Sequence, residues 1–146
     1  MKRQNKSFLQ NLELRSQMDF DRNLFKSKCL AIDFGEKFSG LALFERQGFL
    51  NLGICDTSQL KQKIREIINI RQVKNLVFGL PLGTDGRENL LCKKIKKFAR
   101  IFAESCTVHF VDERNSSQDT LLPPQKNRID DQSALNILEY FLRERS

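Results

Sequence analysis

The sequence predicts an α/β domain in which helices cover both faces of one mixed, five-stranded sheet. Apolar runs of strand length and longer apolar patterns of helical spacing follow one another in the order β-β-β-α-β-α-β-α. Three meandering strands followed by alternating helices and strands predict a sheet with both parallel and antiparallel pairs. The helices must bury their apolar stripes against that sheet, which places them on its faces.

Three strands are predicted at the start of this domain. Residues 29–33 (CLAID) form a short apolar run that ends in aspartate, as expected of a buried strand. Residues 39–45 and 48–54 predict two further strands, and Arg46-Gln47-Gly48 between them suits a hairpin turn.

Helices and strands then alternate along the chain. Apolar residues at helical spacing mark three helices: Leu60, Ile64 and Ile68; Leu91, Ile95, Phe98 and Phe102; Leu135, Leu138 and Leu142, with Ala134, Ile137 and Phe141 beside them. Strands at 75–80 and 107–111 separate these helices, and Pro81 with a Gly83/Asp85-Gly86 turn ends the first of them. This order of elements is the one expected of a ribonuclease H-like domain.

Length and charge narrow the possible functions. The 146 residues suit one domain, with 25 Lys and Arg against 18 Asp and Glu, a net charge of +7. Such a surplus favours a polyanionic partner. Residues 1–27 are predicted to form a basic extension, partly helical or disordered, and 28–146 the folded domain. No apolar run approaches the ~20 residues of a membrane helix, and the amino terminus lacks a secretory apolar segment.

Cysteine and histidine usage argues against zinc chemistry. The single histidine, His109, alternates with apolar neighbours and is predicted to be structural. The cysteines are far apart in sequence and are predicted to be reduced thiols of a cytoplasmic protein: Cys29, Cys55, Cys92 and Cys106.

Acidic residues stand at three predicted element ends. Asp33 ends the first strand, Asp112 and Glu113 follow the fifth, and Asp130 and Asp131 open the last helix. Side chains at such ends converge in the crevice of an α/β sheet. Gathered carboxylates need cations, and oxygen ligands without His or Cys predict Mg²⁺ or Mn²⁺. Two such ions ~3.5–4 Å apart can activate water and stabilise the leaving oxygen of a phosphodiester.

Each acid also has a structural interpretation. Asp33 could serve only as a turn residue before Gly35, and either aspartate of the last helix could be its N-cap. Asp112 and Glu113 could form a solvated strand exit paired with Arg114. It is their joint placement on one topology that favours a metal site.

Four motifs resemble, in order, those of the YqgF/RuvX family of Holliday junction resolvase-like proteins and pre-16S rRNA nucleases. They are Asp33-x-Gly35-x-Lys37-x-x-Gly40, Gly79-Leu80-Pro81-Leu82 with Asp85-Gly86, Asp112-Glu113-Arg114, and Arg128-Ile129-Asp130. The resemblance covers about residues 29 to 145. It implies a ribonuclease H-like fold, a bacterial cytoplasmic setting, and a role in 5′-end processing of the small-subunit rRNA precursor.

The resemblance also implies roles for individual residues. Asp33, Glu113 and Asp130 are implied as ligands of the Mg²⁺ or Mn²⁺ ions, with Asp112 and Asp131 as alternates. Only one of Asp112 and Glu113 can face the site, because side chains alternate along a strand; the family favours Glu113. Contacts to nucleic acid are implied for four residues: Gly35, Lys37, Arg87 and Arg114. The chain departs from the family at Glu36 and in a short 113–130 segment containing Pro123-Pro124.

Three functions remain open at this stage. The first is a metal-dependent nuclease acting on pre-rRNA, in precursor ribosomal particles, or on branched DNA. The second is a non-catalytic nucleic-acid or ribosome-associated module with the same fold. The third is nucleotide phosphotransfer on an actin-like fold, which is disfavoured because such enzymes bind ATP between two domains and this chain has length for one.

Overall fold

In a computed structural model, residues 28–113 and 132–145 are described. Five strands and three helices follow one another in the predicted order. The strands are β1 (Cys29–Asp33), β2 (Phe38–Glu45), β3 (Gly48–Asp56), β4 (Asn75–Leu80) and β5 (Thr107–Asp112). The helices are α1 (Leu60–Arg71), α2 (Leu90–Ala99) and α3 (Ser133–Arg145).

The five strands form one mixed sheet in the order β3-β2-β1-β4-β5. β2 runs antiparallel to both β1 and β3, whereas β4 is parallel to β1 and to β5. Ile32 pairs with Phe78, and Phe78 pairs in turn with Phe110. The carboxyl ends of β1, β4 and β5 therefore lie at the same edge of the sheet, where ligands bind in open α/β folds.

Alternating residues of β1 enter two separate cores. Leu30 and Ile32 belong to the core covered by α1 and α2, whereas Cys29 and Ala31 pack in the core covered by α3. The same alternation holds along β4, where Phe78 lies in the first core and Val77 in the second. Helices thus cover both faces of the sheet, as predicted.

Aromatic rings fill the space between α2 and the sheet. The ring of Phe98 lies 5.2 Å from that of Phe34, 6.1 Å from Phe78 and 5.5 Å from Phe102, measured between centroids. Edge and tilted contacts of this kind add to the apolar area that the helix buries. The cluster packs α2 against β4 and against Phe34, the residue that follows Asp33.

Two boundaries differ from the prediction by more than one residue. β3 continues to Asp56, past the predicted end, because a bulge opposite Leu41/Ala42, with Gly53 at φ +88°, lets pairing resume beyond the irregularity. The helical pattern ending at Phe102 is split, since α2 stops at Ala99 and a 3-10 turn covers Arg100–Phe102. In that tighter turn Phe102 is still buried.

Some expectations fall outside the described residues. These are the basic extension 1–27 and the opening of the last helix by Asp130 and Asp131; within the described residues that helix begins at Ser133. None of the helices found in 28–113 and 132–145 combines the length and apolar character required to cross a membrane.

Candidate active site

Asp33 ends β1 at the edge of the sheet where the three parallel strands finish. It is half-buried and pairs across the sheet with Gly40 of β2. A Cβ atom at Gly40 would lie 3.8 Å from the Asp33 Cβ and 3.8 Å from the Ala134 Cβ. Asp33 therefore stands beside the first turn of α3.

The turn after Asp33 is held by a closed set of hydrogen bonds. The Gly35 N–H donates to Ser39 Oγ over 3.2 Å, and Thr57 Oγ1 donates to the Gly35 carbonyl over 2.7 Å. The two hydroxyl oxygens lie 2.7 Å apart, so Ser39 can donate to Thr57 and satisfy all three groups. Ser39 is 1% exposed, a position in which an unbonded hydroxyl would be costly.

No side chain other than hydrogen fits at Gly35. A Cβ there would lie 2.2 Å from the carbonyl oxygen of Phe38, a backbone atom that cannot move aside. Gly35, which the resemblance implies as a nucleic-acid contact, is therefore also required by the geometry of its own turn. This turn fixes where the chain leaves Asp33.

Glu113 lies against Gly79 and α3. A Cβ at Gly79 would be 3.1 Å from Glu113 Oε1 and 2.6 Å from Ile137 Cδ1. The carboxylate therefore occupies space that a larger residue at position 79 would take. Gly79 follows Phe78, the partner of Ile32, so its neighbour across the sheet is the end of β1.

Alternation along the strands separates Glu113 from Asp112. His109 and Val111 face α3, where the His109 ring lies 4.7 Å from that of Phe141. Val108 contacts the opposite core, and Asp112 shares its side of β5. Glu113 thus lies on the face that carries Asp33, and Asp112 does not.

The start of α3 packs beside both carboxylates. Ala134 lies near Asp33, and Ile137, one turn further along the helix, lies near Glu113. Asp33 and Glu113 therefore flank one short stretch of the same helix. That these two acids share one cation stays a prediction.

The third predicted acid, Asp130, lies outside the described residues, as do Asp131 and Arg114. Between 28 and 113 and between 132 and 145, no group of three His, Cys, Asp or Glu residues could hold a metal ion. The donors that are described, two carboxylates on one face with glycine between them, suit a hard cation in their chemistry. The third predicted ligand, Asp130, belongs to the segment before Ser133.

The predicted phosphate contacts Lys37 and Arg87 lie in the loops at this edge. The Lys37 ammonium lies 5.9 Å from the centre of the Phe38 ring, and its side chain is exposed. Arg87 is 86% exposed and forms a loose ion pair with Asp85, with Nε 3.8 Å from Oδ2. Both cations are accessible to a ligand.

The loop after β4 leads directly into α2. Asn89 caps the helix by accepting from the Cys92 N–H over 2.9 Å, and its amide donates to the Pro81 carbonyl over 2.8 Å. Gly86 takes φ +80° in this turn. The sequence predicted the turn and the helix start, whereas the cap that joins them was not foreseen.

A salt bridge joins α2 to the turn that follows Asp33. Lys94 Nζ lies 3.0 Å from Glu36 Oε2, with both side chains more than half exposed. Glu36 is the position at which the chain departs from the resembled family. The Lys94 ammonium therefore offsets the negative charge that Glu36 adds beside the candidate site.

His109 has the structural surroundings that the sequence favours. Its Nε2 lies 3.0 Å from Asn75 Oδ1, in addition to the ring contact with Phe141. Cysteines Cys29, Cys92 and Cys106 are buried and Cys55 is half-buried, all four as free thiols. Burial raises the pKa of Cys29 to about 12, so this thiol remains protonated at neutral pH.

Two supporting residues of the site were not singled out from the sequence. Thr57 closes the hydrogen bonds around Gly35, and Ile137 packs over Gly79 beside Glu113. The sequence around Thr57 does not reveal its role, because the Gly35 carbonyl to which it donates lies 22 residues away along the chain. Ile137 belonged to a recognised apolar stripe, but the strand residue beneath it could be known only from the sheet order.

A family comparison and the individual relatives agree on the protein family that this chain resembles. The family described as "RuvX: Holliday junction resolvase" matches residues 27–144. A Trichormus variabilis protein named "Putative pre-16S rRNA nuclease" is 33% identical over 129 residues, covering 77% of this chain and 85% of the relative. A Maridesulfovibrio salexigens protein of the same name is 31% identical over 131 residues, covering 79% and 97%.

Among solved structures, T. thermophilus RuvC in complex with a Holliday junction substrate is similar, with a TM-score of 0.55. The match has 12% sequence identity and covers 81% of this chain and 96% of RuvC. At that identity the likeness concerns the fold, and the predicted ribonuclease H-like fold is confirmed.

Proposed function

Because the chain belongs to the RuvX family, we propose that it is a metal-dependent nuclease that hydrolyses phosphodiester bonds of structured nucleic acid. The substrate that we favour is the precursor of 16S rRNA, at its 5′ end. The names of the relatives support this substrate. Branched DNA is the second candidate, supported by the family description and by the fold shared with RuvC.

The observation that carries the proposal is the position of two acids far apart in sequence. Asp33 and Glu113 lie on one face at one sheet edge, beside successive turns of α3. Two carboxylates held close together repel each other, and a bound cation relieves that repulsion.

We propose Asp33, Glu113 and Asp130 as the ligands of Mg²⁺ or Mn²⁺. Asp130 precedes Ser133 by three residues, a stretch that spans at most about 10 Å, and the start of α3 lies beside Asp33. When bound, a pair of such ions supplies an activated water and stabilises the oxygen that leaves the phosphodiester. Asp112 and Asp131 are the alternates, and Asp112 is disfavoured by its side of β5.

The protein's own residues bind and orient the substrate in this proposal. The exposed ammonium of Lys37 and the exposed guanidinium of Arg87 bind phosphate oxygens on either side of the cleaved bond. Arg114 and the backbone of Gly35 are further proposed contacts. The turn fixed by Ser39 and Thr57 keeps the Asp33 carboxylate in place as the substrate enters.

Substitution of Asp33 by Asn tests the metal mechanism. We expect D33N to lower the rate of cleavage in Mg²⁺ by at least about 100-fold, because a neutral amide holds the cation poorly. Binding of Mn²⁺, followed by calorimetry, should weaken in parallel, while the affinity for uncleaved RNA is retained. Cleavage by the unsubstituted protein should stop in EDTA.

Asp112 offers a matched control, since D112N removes the same charge from β5, two strands away, on the opposite face of the sheet. It should retain both cleavage and Mn²⁺ binding. Cleavage that persists in EDTA, or D33N as active as the unsubstituted protein, would refute the metal mechanism. A comparison of a pre-16S 5′ leader with a four-way DNA junction identifies the preferred substrate.

A further inference from the structure

The outer face of α2 is an uninterrupted cationic surface. Between Lys93 and Arg100 every exposed residue is a cation, namely Lys93, Lys94, Lys97 and Arg100. No acidic residue occurs anywhere in α2. Lys93, Lys97 and Arg100, spaced four and three residues apart, lie on one side of the helix, and we call these three residues the basic stripe.

Ion pairs neutralise the neighbours of the basic stripe but not its members. Lys94 pairs with Glu36, and Lys96 pairs with Glu88. Across residues 28–113 and 132–145, no carboxylate lies within salt-bridge distance of Lys93, Lys97 or Arg100. The stripe therefore presents three charges that a polyanion could neutralise.

The basic stripe begins at the sheet edge that carries the candidate active site, on the opposite face of the sheet from Asp33 and Glu113, and leads away from that edge. The loop that follows β4 starts α2 at the sheet edge where Asp33 lies, and the Lys94–Glu36 bridge fastens the helix to the turn after Asp33. Arg100 is the first residue of the 3-10 turn that continues α2, and the seven steps along the chain from Lys93 correspond to a rise of about 10 Å. A ligand that occupies both regions would have to be an extended polyanion.

We propose that the basic stripe binds the phosphate backbone of a nucleic-acid duplex that flanks the cleaved bond. A duplex holds its phosphates in a stiff row, which matches cations held in a row by a rigid helix. Lys and Arg on such a surface gain affinity by displacing condensed counterions and carry no sequence information. The part of the proposal that concerns cleavage rests on the proposed function, whereas duplex binding does not.

An acidic protein partner fits the surface less well. Interfaces between proteins depend on aromatic and apolar anchors near their centre. The exposed positions between Lys93 and Arg100 offer no such side chain, and the exposed apolar residues Leu90 and Ile101 lie only at the two ends of this stretch. Phosphate contacts need only charge and reach, and the stripe provides both.

The test is duplex binding without catalysis. The probe is a short blunt RNA duplex that has no cleavage site, measured in EDTA over a series of salt concentrations. For the triple variant K93Q/K97Q/R100Q we expect the slope of log K against log salt to fall by about 2 to 3, because up to three phosphate contacts are lost. At low salt the affinity should weaken roughly tenfold or more.

The exposed cations of α1 give a control with the same change in net charge, the triple variant K61Q/K63Q/R65Q. Its salt slope should change by less than about 1. Glutamine is nearly as good a helix former as lysine and arginine, and circular dichroism with thermal unfolding checks that both variants fold. Equal losses in the two triples, or an unchanged slope in the α2 triple, would overturn the proposal.

The two proposals fail in different ways. D33N should bind the blunt duplex as the unsubstituted protein does, because Asp33 contributes nothing to the stripe. If no metal-dependent cleavage is found, the nuclease proposal fails while the binding result still decides the role of the stripe. If cleavage is found and the α2 triple binds the duplex normally, only the stripe is refuted.

Discussion

Gly79 of β4 packs so closely against α3 and Glu113 that any side chain larger than hydrogen would displace a neighbour. A Cβ there would lie 2.6 Å from Ile137 Cδ1 and 3.1 Å from Glu113 Oε1. We expect Gly79→Ala to lower the free energy of unfolding by about 1–3 kcal/mol, as overpacked residues do. It should also weaken Mn²⁺ binding, because the Glu113 carboxylate is displaced. Thermal unfolding and calorimetry measure the two effects.

Two further variants separate packing from ligand displacement. Gly40→Ala adds the same methyl group beside Asp33, but at an ordinary contact distance of 3.8 Å, and should leave Mn²⁺ affinity unchanged. Ile137→Val, added to the Gly79 variant, removes the Cδ1 atom and should restore much of the stability. A Gly79→Ala protein with full Mn²⁺ affinity would argue against Glu113 as a ligand.

The choice between Asp112 and Glu113 shows what the sequence could decide at the scale of single residues. Alternation along a strand says that one of them faces the site, but the sequence does not say which face of β5 is inward. Contacts of His109 with Phe141 and of Val108 with the other core supply that information. These contacts depend on the order of strands in the sheet, which local patterns do not encode.

Among the elements, α2 depends on Asn89 at its start. The side chain accepts from the Cys92 N–H and also donates to the Pro81 carbonyl in the loop at the candidate site. Asn89→Ala should lower the free energy of unfolding by about 1 kcal/mol, the usual cost of a lost N-cap. Cleavage should slow as well, because the loop loses its tie to the helix. Thermal unfolding and a cleavage assay test this.

Asn89→Asp separates these two roles. The carboxylate can still accept from the Cys92 N–H, and it favours a helix N-terminus, but it cannot donate to Pro81. We therefore expect stability near that of the unsubstituted protein, with cleavage slowed as in the alanine variant. If both variants cleave at the normal rate, the loop does not need this tie.

Element boundaries were harder to predict than the elements themselves. The apolar pattern of α2 continues to Phe102, and only backbone hydrogen bonds reveal that the last turn is 3-10. β3 extends to Asp56 because a bulge with Gly53 at positive φ lets the ladder resume. Both differences arise from backbone geometry, to which the periodicity of side chains is insensitive.

For the molecule as a whole, burial of Cys29 predicts a loss of stability in alkali. Its pKa is about 12 in the folded protein against an ordinary value of 9.0, and the cause is desolvation. Below pH 9 both states hold the proton and the stabilisation is complete. As the pH rises towards the folded value, the unfolded chain loses the proton first, so unfolding becomes more favourable by up to about 1.4 kcal/mol per pH unit.

Denaturant unfolding between pH 8 and pH 11, followed by circular dichroism, measures this slope. Cys29→Ala is the control: it loses packing at every pH, but the part of the slope due to Cys29 should disappear. Cys55 and Cys106, whose pKa values burial also raises, remain in that variant and leave a residual slope. Equal slopes in the two proteins would show that the Cys29 thiol is not protected by burial.

The overall topology followed from the sequence because its periodicities are clear and its strand runs are short. Apolar runs such as 29–33 and 75–80 are nearly uniform, as expected of strands buried on both faces. The positions of Asp33 and Glu113 at one edge then follow from parallel pairing through β4. For the third acid, the predicted start of the last helix indicated Asp130 and Asp131, and the family motif favoured Asp130.

The strand order has a consequence for when a newly made chain could become active. Synthesis delivers β1 early, yet β1 reaches its parallel neighbour only after α1 and β4 have emerged. Glu113 comes later still, and α3, which packs over both acids, follows it. A growing polypeptide therefore carries an incomplete centre until its final helix has docked, and ribosome-bound fragments ending before residue 133 should lack nuclease activity.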